Sequence, residues 1–167
     1  MPGDNLYYMG NHALPSTGLP TKVTTSTAAT VMLQLSTPST RQFTLVEYGI
    51  CFDGSPSAIQ VQLRSTSAAV TATNNTAGII NPFTNPNAPT SLSTSGTSNS
   101  CFFNGTSTNA PTATVSAVFD TQIISSAQYV KQWPLNREPG IPVSNFLQLC
   151  VLASVAVNAS CYFIWRE

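Results

Sequence analysis

The chain is 167 residues long, which is enough for one domain with a hydrophobic core. Hydrophobic residues make up 42% of it, and this content argues against disorder, because disordered segments combine low hydrophobicity with high net charge. Charged residues make up only 7%, compared with about 25% in an average soluble domain. Six basic and six acidic residues give a net charge of zero, so the chain has no basic excess with which to bind nucleic acid.

Serine and threonine, about a quarter of the chain, replace the missing charges. A protein with near-zero net charge tends to self-associate, and a hydroxyl costs far less than a charge to bury against a partner. The composition therefore favours a protein that works in an assembly. A soluble domain with an unusual surface is the alternative.

Residues 1–20 are predicted to form an extended arm outside the core, because glycines and prolines interrupt them. The arm contains Leu6, Tyr7, Tyr8 and Met9, which either dock onto a neighbouring subunit or fray in solvent. The first residues include neither a basic nor an apolar region, so no signal peptide is expected.

Residues 21–167 are predicted to form a single β-sandwich domain, because short alternating strands follow one another and no segment shows a helical period. About eight strands with long connections favour a jelly roll of two packed antiparallel sheets, with an immunoglobulin-like sandwich as the alternative. The apolar stretch 146–165 has the length of a membrane helix. From Val155 onward, however, apolar and polar residues alternate, which indicates two strands and no membrane span.

One predicted strand, residues 43–52, is apolar on both faces. Val46, Tyr48, Ile50 and Phe52 lie on one of these faces. A strand that is apolar on both faces is covered on both, and in a small β domain the second cover is often another subunit. This strand is therefore predicted to form a subunit contact.

The region 81–110 is predicted to be a long irregular loop within the domain, because prolines and a polar, low-complexity run interrupt it. A loop of this length in a compact domain is usually functional or flexible. Phe83, Phe102 and Phe103 are apolar residues in it, and they are expected to contact a neighbouring subunit.

No arrangement of residues predicts an enzyme, a metal site or a cofactor site. His12 is the only histidine and lies in the arm, so a base for nucleophilic catalysis is missing. The four cysteines lack metal-ligand spacing and are expected to be reduced thiols, three of them buried in strands. Glu47 is expected to pair with a buried Arg or Lys, and Arg137 with Glu138. Aromatic residues expected at the surface leave glycan binding open: Tyr7, Tyr8, Tyr129 and Trp133.

Four segments carry a family resemblance: EYGICFDG at 47–54, NPNAP at 85–89, QYVKQWPLNREP at 128–139 and VNASCYFIWRE at 157–167. They resemble small proteins encoded among the virion genes of tailed phages, over most of the chain after about residue 20. The resemblance implies a capsid decoration (cement) protein, which is commonly a β-rich trimer seated on the shell. It implies no catalytic residues.

The composition therefore favours a non-enzymatic homo-oligomer, and the resemblance implies a trimer on the outer surface of a virion capsid. The resemblance also implies the major capsid protein as the partner, and no membrane, nucleic acid or cofactor is expected. The alternatives are a tail or fibre-base virion protein that binds host glycans, and a secreted or cellular β-sandwich lectin, which would require a signal peptide. The residues predicted at the subunit or capsid interface are Leu6, Tyr7, Tyr8, Met9, Val46, Tyr48, Ile50, Phe52, Phe83, Phe102, Phe103, Trp133 and Arg137.

Overall fold

The structure, a computed structural model, describes residues 5–11, 23–54, 57–70, 80–89, 91–93 and 114–167. Within these ranges the regular structure is entirely β, and no helix is present that is long and apolar enough to cross a membrane. The strands are β1 (Leu6–Gly10), β2 (Val23–Thr24), β3 (Thr30–Ser36), β4 (Phe43–Asp53), β5 (Ile59–Thr66), β6 (Asn81–Pro82), β7 (Val115–Ile124), β8 (Gln128–Gln132), β9 (Gly140–Ile141), β10 (Phe146–Leu152) and β11 (Asn158–Arg166).

Two antiparallel sheets pack together, which confirms the predicted all-β antiparallel sandwich. Sheet A has the strand order β6-β1-β11-β4-β8, with β2 beside β11 and β9 beside β4. Sheet B has the order β3-β10-β5-β7. When the two-residue strands β2, β6 and β9 are set aside, β5 and β7 are the one pair of successive strands in the described chain that share a sheet. The apolar stretch 146–165 contains β10 and most of β11, as its alternation predicts.

The core lies between the inner faces of the two sheets and is rich in aromatic residues. Trp165 of β11 stacks on Tyr7 of β1 and on Phe43 of β4, with ring centroids 5.9 and 6.1 Å apart. Trp165 and Phe43 are fully buried, and Tyr7 nearly so. Large buried aromatic side chains contribute strongly to core stability, so three neighbouring strands of sheet A are held together by one aromatic stack.

The prediction of an arm outside the core is wrong for residues 6–10. These residues form β1, which pairs with β11 on one side and β6 on the other. Tyr7 and Met9 alternate into the core, and burial of their side chains outweighs the glycines and prolines nearby in the sequence. Asn11 continues the pairing through its side chain, whose Oδ1 accepts from the Cys161 amide at 2.9 Å. Residues 1–4 and 12–20 of the predicted arm lie outside the described residues.

The predicted loop 81–110 is not irregular throughout, because its first two residues form strand β6 beside β1. In addition, the phenol of Tyr7 donates a 2.8 Å hydrogen bond to the Pro89 carbonyl. Glu167 binds the next described segment, accepting from the Leu92 amide at 2.8 Å and from the hydroxyl of Ser91. The same carboxylate accepts from the Trp165 indole at 3.0 Å. Residues 80–89 and 91–93 are thus attached to sheet A, whereas 94–110, with Phe102 and Phe103, lie outside the described residues.

Candidate assembly surface

The interface residues predicted on β4 lie mostly inside the sandwich. Tyr48, Ile50 and Phe52 point into the core and are buried within one chain. β4 itself lies between β11 and β8, so both of its edges are paired. Tyr48, Ile50 and Phe52 are therefore not accessible for the predicted subunit contact.

A β-bulge explains why β4 looks apolar on both faces in the sequence. Glu47 pairs with Ile164, but Leu45 pairs with Trp165, so Val46 is an extra residue in β4. Such an insertion changes which alternate residues face the core. Leu45 lies in the core before the bulge and Tyr48 lies in it after the bulge. The side chains on both sides of the bulge are therefore covered by the same opposing sheet.

The other predicted interface residues that the structure describes do not form one surface. Phe83 is exposed and follows β6 at one edge of sheet A, whereas Trp133 is partly buried and follows β8 at the opposite edge. Arg137 is exposed, and its predicted ion pair is wrong, because Glu138 pairs instead with Arg166 at 3.0 Å. In β1, Tyr7 and Met9 are buried in the core and are therefore not accessible to a partner. Leu6 and Tyr8 are partly exposed.

The apolar surface that sequence reasoning missed lies on β7, and we call it the β7 stripe: Val115, Val118 and Ile123. These side chains are 40%, 51% and 71% exposed. They pair with Thr66, Arg64 and Gln60 of β5, which places all three on the outer face of sheet B. In the sequence, Val115 and Ile123 alternate in phase with Phe119, which packs against the core.

Two irregularities in β7 produce the stripe. The register with β5 shifts between Leu63 and Arg64 and again between Ser65 and Thr66. Each shift adds a residue to β7, Phe119 in the first case and Ser116 in the second. Because each extra residue reverses the alternation, valines at 115 and 118 and isoleucine at 123 all reach solvent. A bulged edge is a poor template for a continuous added strand, so this surface is suited to contact through its side chains.

The β7 stripe lies on an edge strand that has no outward charge. β7 is the last strand of sheet B and pairs with β5 alone among the described strands. Its one charged residue, Asp120, points inward and is buried. Native edge strands are commonly protected by lysine or proline, and β7 contains neither. Three exposed apolar side chains on one face of an edge strand make this surface a candidate interaction site.

Behind the stripe, Asp120 fixes β7 to sheet A. Its Oδ2 accepts hydrogen bonds from the phenols of Tyr48 at 2.7 Å and Tyr129 at 3.0 Å. Its Oδ1 accepts from Gln122 at 2.8 Å and pairs with Lys131 at 3.1 Å. Four donors from three strands therefore converge on one carboxylate, and they hold the edge strand in a defined position.

The electrostatics of this cluster favour a fixed ionic network. Burial opposes the charged form of Asp120, but the hydrogen bonds from Gln122, Tyr48, Lys131 and Tyr129 outweigh it and lower the pKa of the carboxyl. Burial, together with the adjacent carboxylate, raises the pKa values of Tyr48 and Tyr129. At neutral pH the carboxylate is ionised and both phenols are neutral donors. Lys131 also lies 5.5 Å from the ring centroid of Trp133.

A second group of aromatic residues lies on the outer face of sheet A. Tyr8 and Tyr162 stack with their ring centroids 5.7 Å apart. The Tyr162 phenol donates a 2.6 Å hydrogen bond to Glu47, so the expected pairing of Glu47 with an Arg or Lys is not the contact that the structure gives. The ring of Tyr162 lies over Gly49, where a Cβ would be only 2.7 Å from its Cζ. Both tyrosines are partly exposed.

The cysteines differ from expectation in one respect. Cys150 and Cys161 are buried, but Cys51 is exposed. Cys51 lies on the outer face of β4, opposite Ser160 of β11. Within the described ranges, no group of three His, Cys, Asp or Glu residues is placed to hold a metal ion.

Comparisons with known proteins give no relative for this chain. No protein-family model matches it, and neither the curated proteins nor the solved structures include a match.

Proposed function

We propose that this chain is a structural, non-enzymatic virion protein, a decoration protein on the outer surface of a tailed-phage capsid. The observation that carries the proposal is the β7 stripe, an exposed apolar surface on an uncharged edge strand. The partner we propose for it is the major capsid protein. No cofactor, membrane or nucleic acid has a role in this proposal.

The strand order supports a jelly roll. Without the two-residue strands, the two sheets have the orders β1-β11-β4-β8 and β3-β10-β5-β7. The first long strand therefore lies beside the last, as it does in a fold of two interlocked Greek keys. An immunoglobulin-like sandwich would place the first long strand beside the second or at an edge away from the last. Jelly rolls occur in viral capsid and lectin domains. Because a fold alone does not fix a function, the strand order is secondary to the stripe.

The driving force we propose is burial of the β7 stripe. Apolar surface contributes about 25 cal/mol per Å² on removal from water, and the costs of association reduce this sum. A small stripe gives a weak single contact. Many copies on a shell, linked as homo-oligomers, strengthen the attachment through avidity. We expect a trimer, and we place its contacts outside β4, since that strand is paired on both edges.

The experiment compares two variants of the full chain. Replacing Val115 and Ile123 together with aspartate places two charges on the stripe, and Leu135→Asp places one on an exposed turn residue elsewhere. Light scattering after size-exclusion chromatography gives the oligomeric state, and co-sedimentation with expanded capsids gives shell binding. We expect the double variant to lose shell binding and the Leu135→Asp variant to keep it. Recovery of the wild-type protein from host cytoplasm but never from purified particles would refute the proposal.

A second candidate is a tail or fibre-base protein that binds host glycans. Tyr8 and Tyr162 favour it, because a partly exposed pair of stacked rings next to the Glu47 carboxylate offers stacking and hydrogen-bond acceptance to a sugar. A glycan array with wild-type protein and Tyr8→Ala tests it. Binding that Tyr8→Ala abolishes supports this candidate, and the absence of binding to any glycan removes it.

A further inference from the structure

A buried arginine on the outer face of sheet B forms part of a row of polar side chains. Arg64 of β5, Gln148 of β10 and Gln34 of β3 are in register across three strands. Arg64 is 6% exposed, and both glutamines are fully buried. Polar groups at this depth need partners, because an unsatisfied buried donor or acceptor is costly.

The glutamines are satisfied in a chain of hydrogen bonds that starts at the guanidinium. Nε and Nη2 of Arg64 both donate to Oε1 of Gln148, at 3.3 and 3.1 Å. Gln148 in turn donates to Oε1 of Gln34 at 2.8 Å, and the Val70 amide donates to the same oxygen at 3.1 Å. Each amide is thereby oriented, and Gln148 presents its oxygen to the arginine.

The positive charge of Arg64 has no carboxylate partner among the described residues. Four described acids have other contacts: Glu47 with Tyr162, Asp120 with Lys131, Glu138 with Arg166, and Glu167 with Ser91 and Trp165. Asp53 belongs to the other sheet. One neutral amide oxygen is a weak counterpart for a buried guanidinium, which favours a charged acceptor.

Arg64 lines an open pocket of about 210 Å³ on this face. Gln60, Gln62 and Thr121 supply the other polar groups of the lining. The remaining lining residues are apolar or carry a thiol: Ala29, Val61, Cys150, Val151 and Leu152. The pocket is smaller than the roughly 300–1,000 Å³ typical of sites for drug-sized ligands. It therefore has room only for a molecule of few non-hydrogen atoms.

We propose that this pocket binds a small free carboxylate through Arg64, with the amide and hydroxyl groups of Gln62 and Thr121 beside it. The edge formed by Nε and Nη2 binds Gln148, which leaves the Nη1–Nη2 edge of the guanidinium to donate to the two oxygens of a carboxylate. A monoanion balances the single charge of Arg64, whereas a phosphate dianion would retain a charge that no second described cation lining the pocket offsets. This inference does not depend on the proposed virion function.

The first test is a titration of the arginine side-chain resonances of the full chain, with Arg64→Lys used to assign the Arg64 Nε–Hε signal. We expect sodium acetate and succinate to shift that signal saturably. Acetamide, a neutral analogue, and sodium chloride at equal ionic strength should leave it in place, and Arg137 serves as the exposed internal control. A signal that responds equally to chloride, or to none of these compounds, overturns the proposal. A shift that depends on protein concentration and not on acetate also overturns the proposal, because it would indicate that a carboxylate of another copy occupies the site.

A second test uses Cys150, which lines the same pocket. Burial raises the pKa of its thiol to about 11, which slows alkylation, so relative rates on the same protein are compared. We expect acetate, but not acetamide, to slow modification of Cys150 by iodoacetamide, while the rate at exposed Cys51 stays constant. In Arg64→Gln the protection by acetate should disappear. Equal protection by acetate and acetamide, or protection retained in Arg64→Gln, contradicts the proposal.

Discussion

The phenol of Tyr48 in sheet A donates a 2.7 Å hydrogen bond to the carboxylate of Asp120 in sheet B, and this contact crosses the sandwich beside its open edge. Tyr129 donates to the same oxygen from the edge strand of sheet A. The two contacts differ in burial, because Tyr48 is fully buried and Tyr129 is only partly buried. The pair therefore provides a matched comparison of one interaction at two depths.

We predict that Tyr48→Phe lowers the free energy of unfolding by about 1.5–3 kcal/mol, the usual range for a hydrogen bond to a charged group. The variant keeps the ring but removes a donor from a buried carboxylate. Tyr129→Phe should cost less, because water can reach its site. Urea denaturation of the two variants measures the difference, and equal losses would show that Tyr48 has no special role in joining the sheets.

The Asp120 cluster also predicts how stability depends on pH. The hydrogen bonds hold the folded-state pKa of this carboxyl below its ordinary value of 3.8. The stabilisation is therefore fully present above that value, and it is lost as the pH falls through the lower folded-state pKa. We expect Asp120→Asn to be less stable than wild type at pH 7, with a gap that narrows in acid. Denaturation at several pH values measures it, and a gap independent of pH would contradict the assignment.

The bulge in β4 predicts contrasting effects at neighbouring positions. Leu45 is fully buried, so Leu45→Ala should cost about 2–5 kcal/mol of unfolding free energy, as other large-to-small core changes do. Val46 is the extra, partly buried residue, and Val46→Ala should cost less than half as much. Chemical denaturation and the oligomeric state are measured for both variants. Loss of the oligomer in Val46→Ala, with stability unchanged, would restore β4 as a subunit contact.

Gly49 and Tyr162 should show strong energetic coupling. An added Cβ at position 49 collides with the tyrosine ring, so Gly49→Ala should destabilise the protein by about 1–3 kcal/mol, the usual cost of overpacking. In a Tyr162→Ala background the same change should be neutral or stabilising, because alanine restricts the unfolded chain more than glycine does. A double-mutant cycle measures the coupling. Additive effects would mean that the ring moves aside freely.

Much of the fold was predictable from the sequence, because strand patterns depend on local alternation. The all-β class, the sandwich and the longer strands follow from residues such as Ile59, Val61 and Leu63, whose spacing fits a strand with one buried face. The bulges could not be predicted, since an inserted residue is identified only by its partner strand. For the same reason, β4 was predicted to be apolar on both faces, and the β7 stripe was missed.

The candidate sites depend on contacts between residues that are distant in sequence. Arg64 and Gln148 are 84 positions apart, and each, taken alone, resembles an ordinary exposed polar residue of a strand. Leu6–Gly10 illustrates the opposite error, because a short apolar segment among glycines and prolines resembles an arm until β11 supplies its partner. In both cases the burial of the residues depends on pairing with strands that are distant in sequence, and local composition does not predict that pairing.

The position of β11 also determines when this molecule can fold. β11 separates β1 from β4 in sheet A, and the bond between Asn11 and Cys161 spans 150 positions. Sheet A therefore lacks its middle strand until residues 158–166 have been synthesised, and the edges of β1 and β4 that will receive it stay open until then. Closing such distant pairs is slow, and open strand edges are prone to aggregation during synthesis. Completion of sheet A therefore depends on the synthesis of β11.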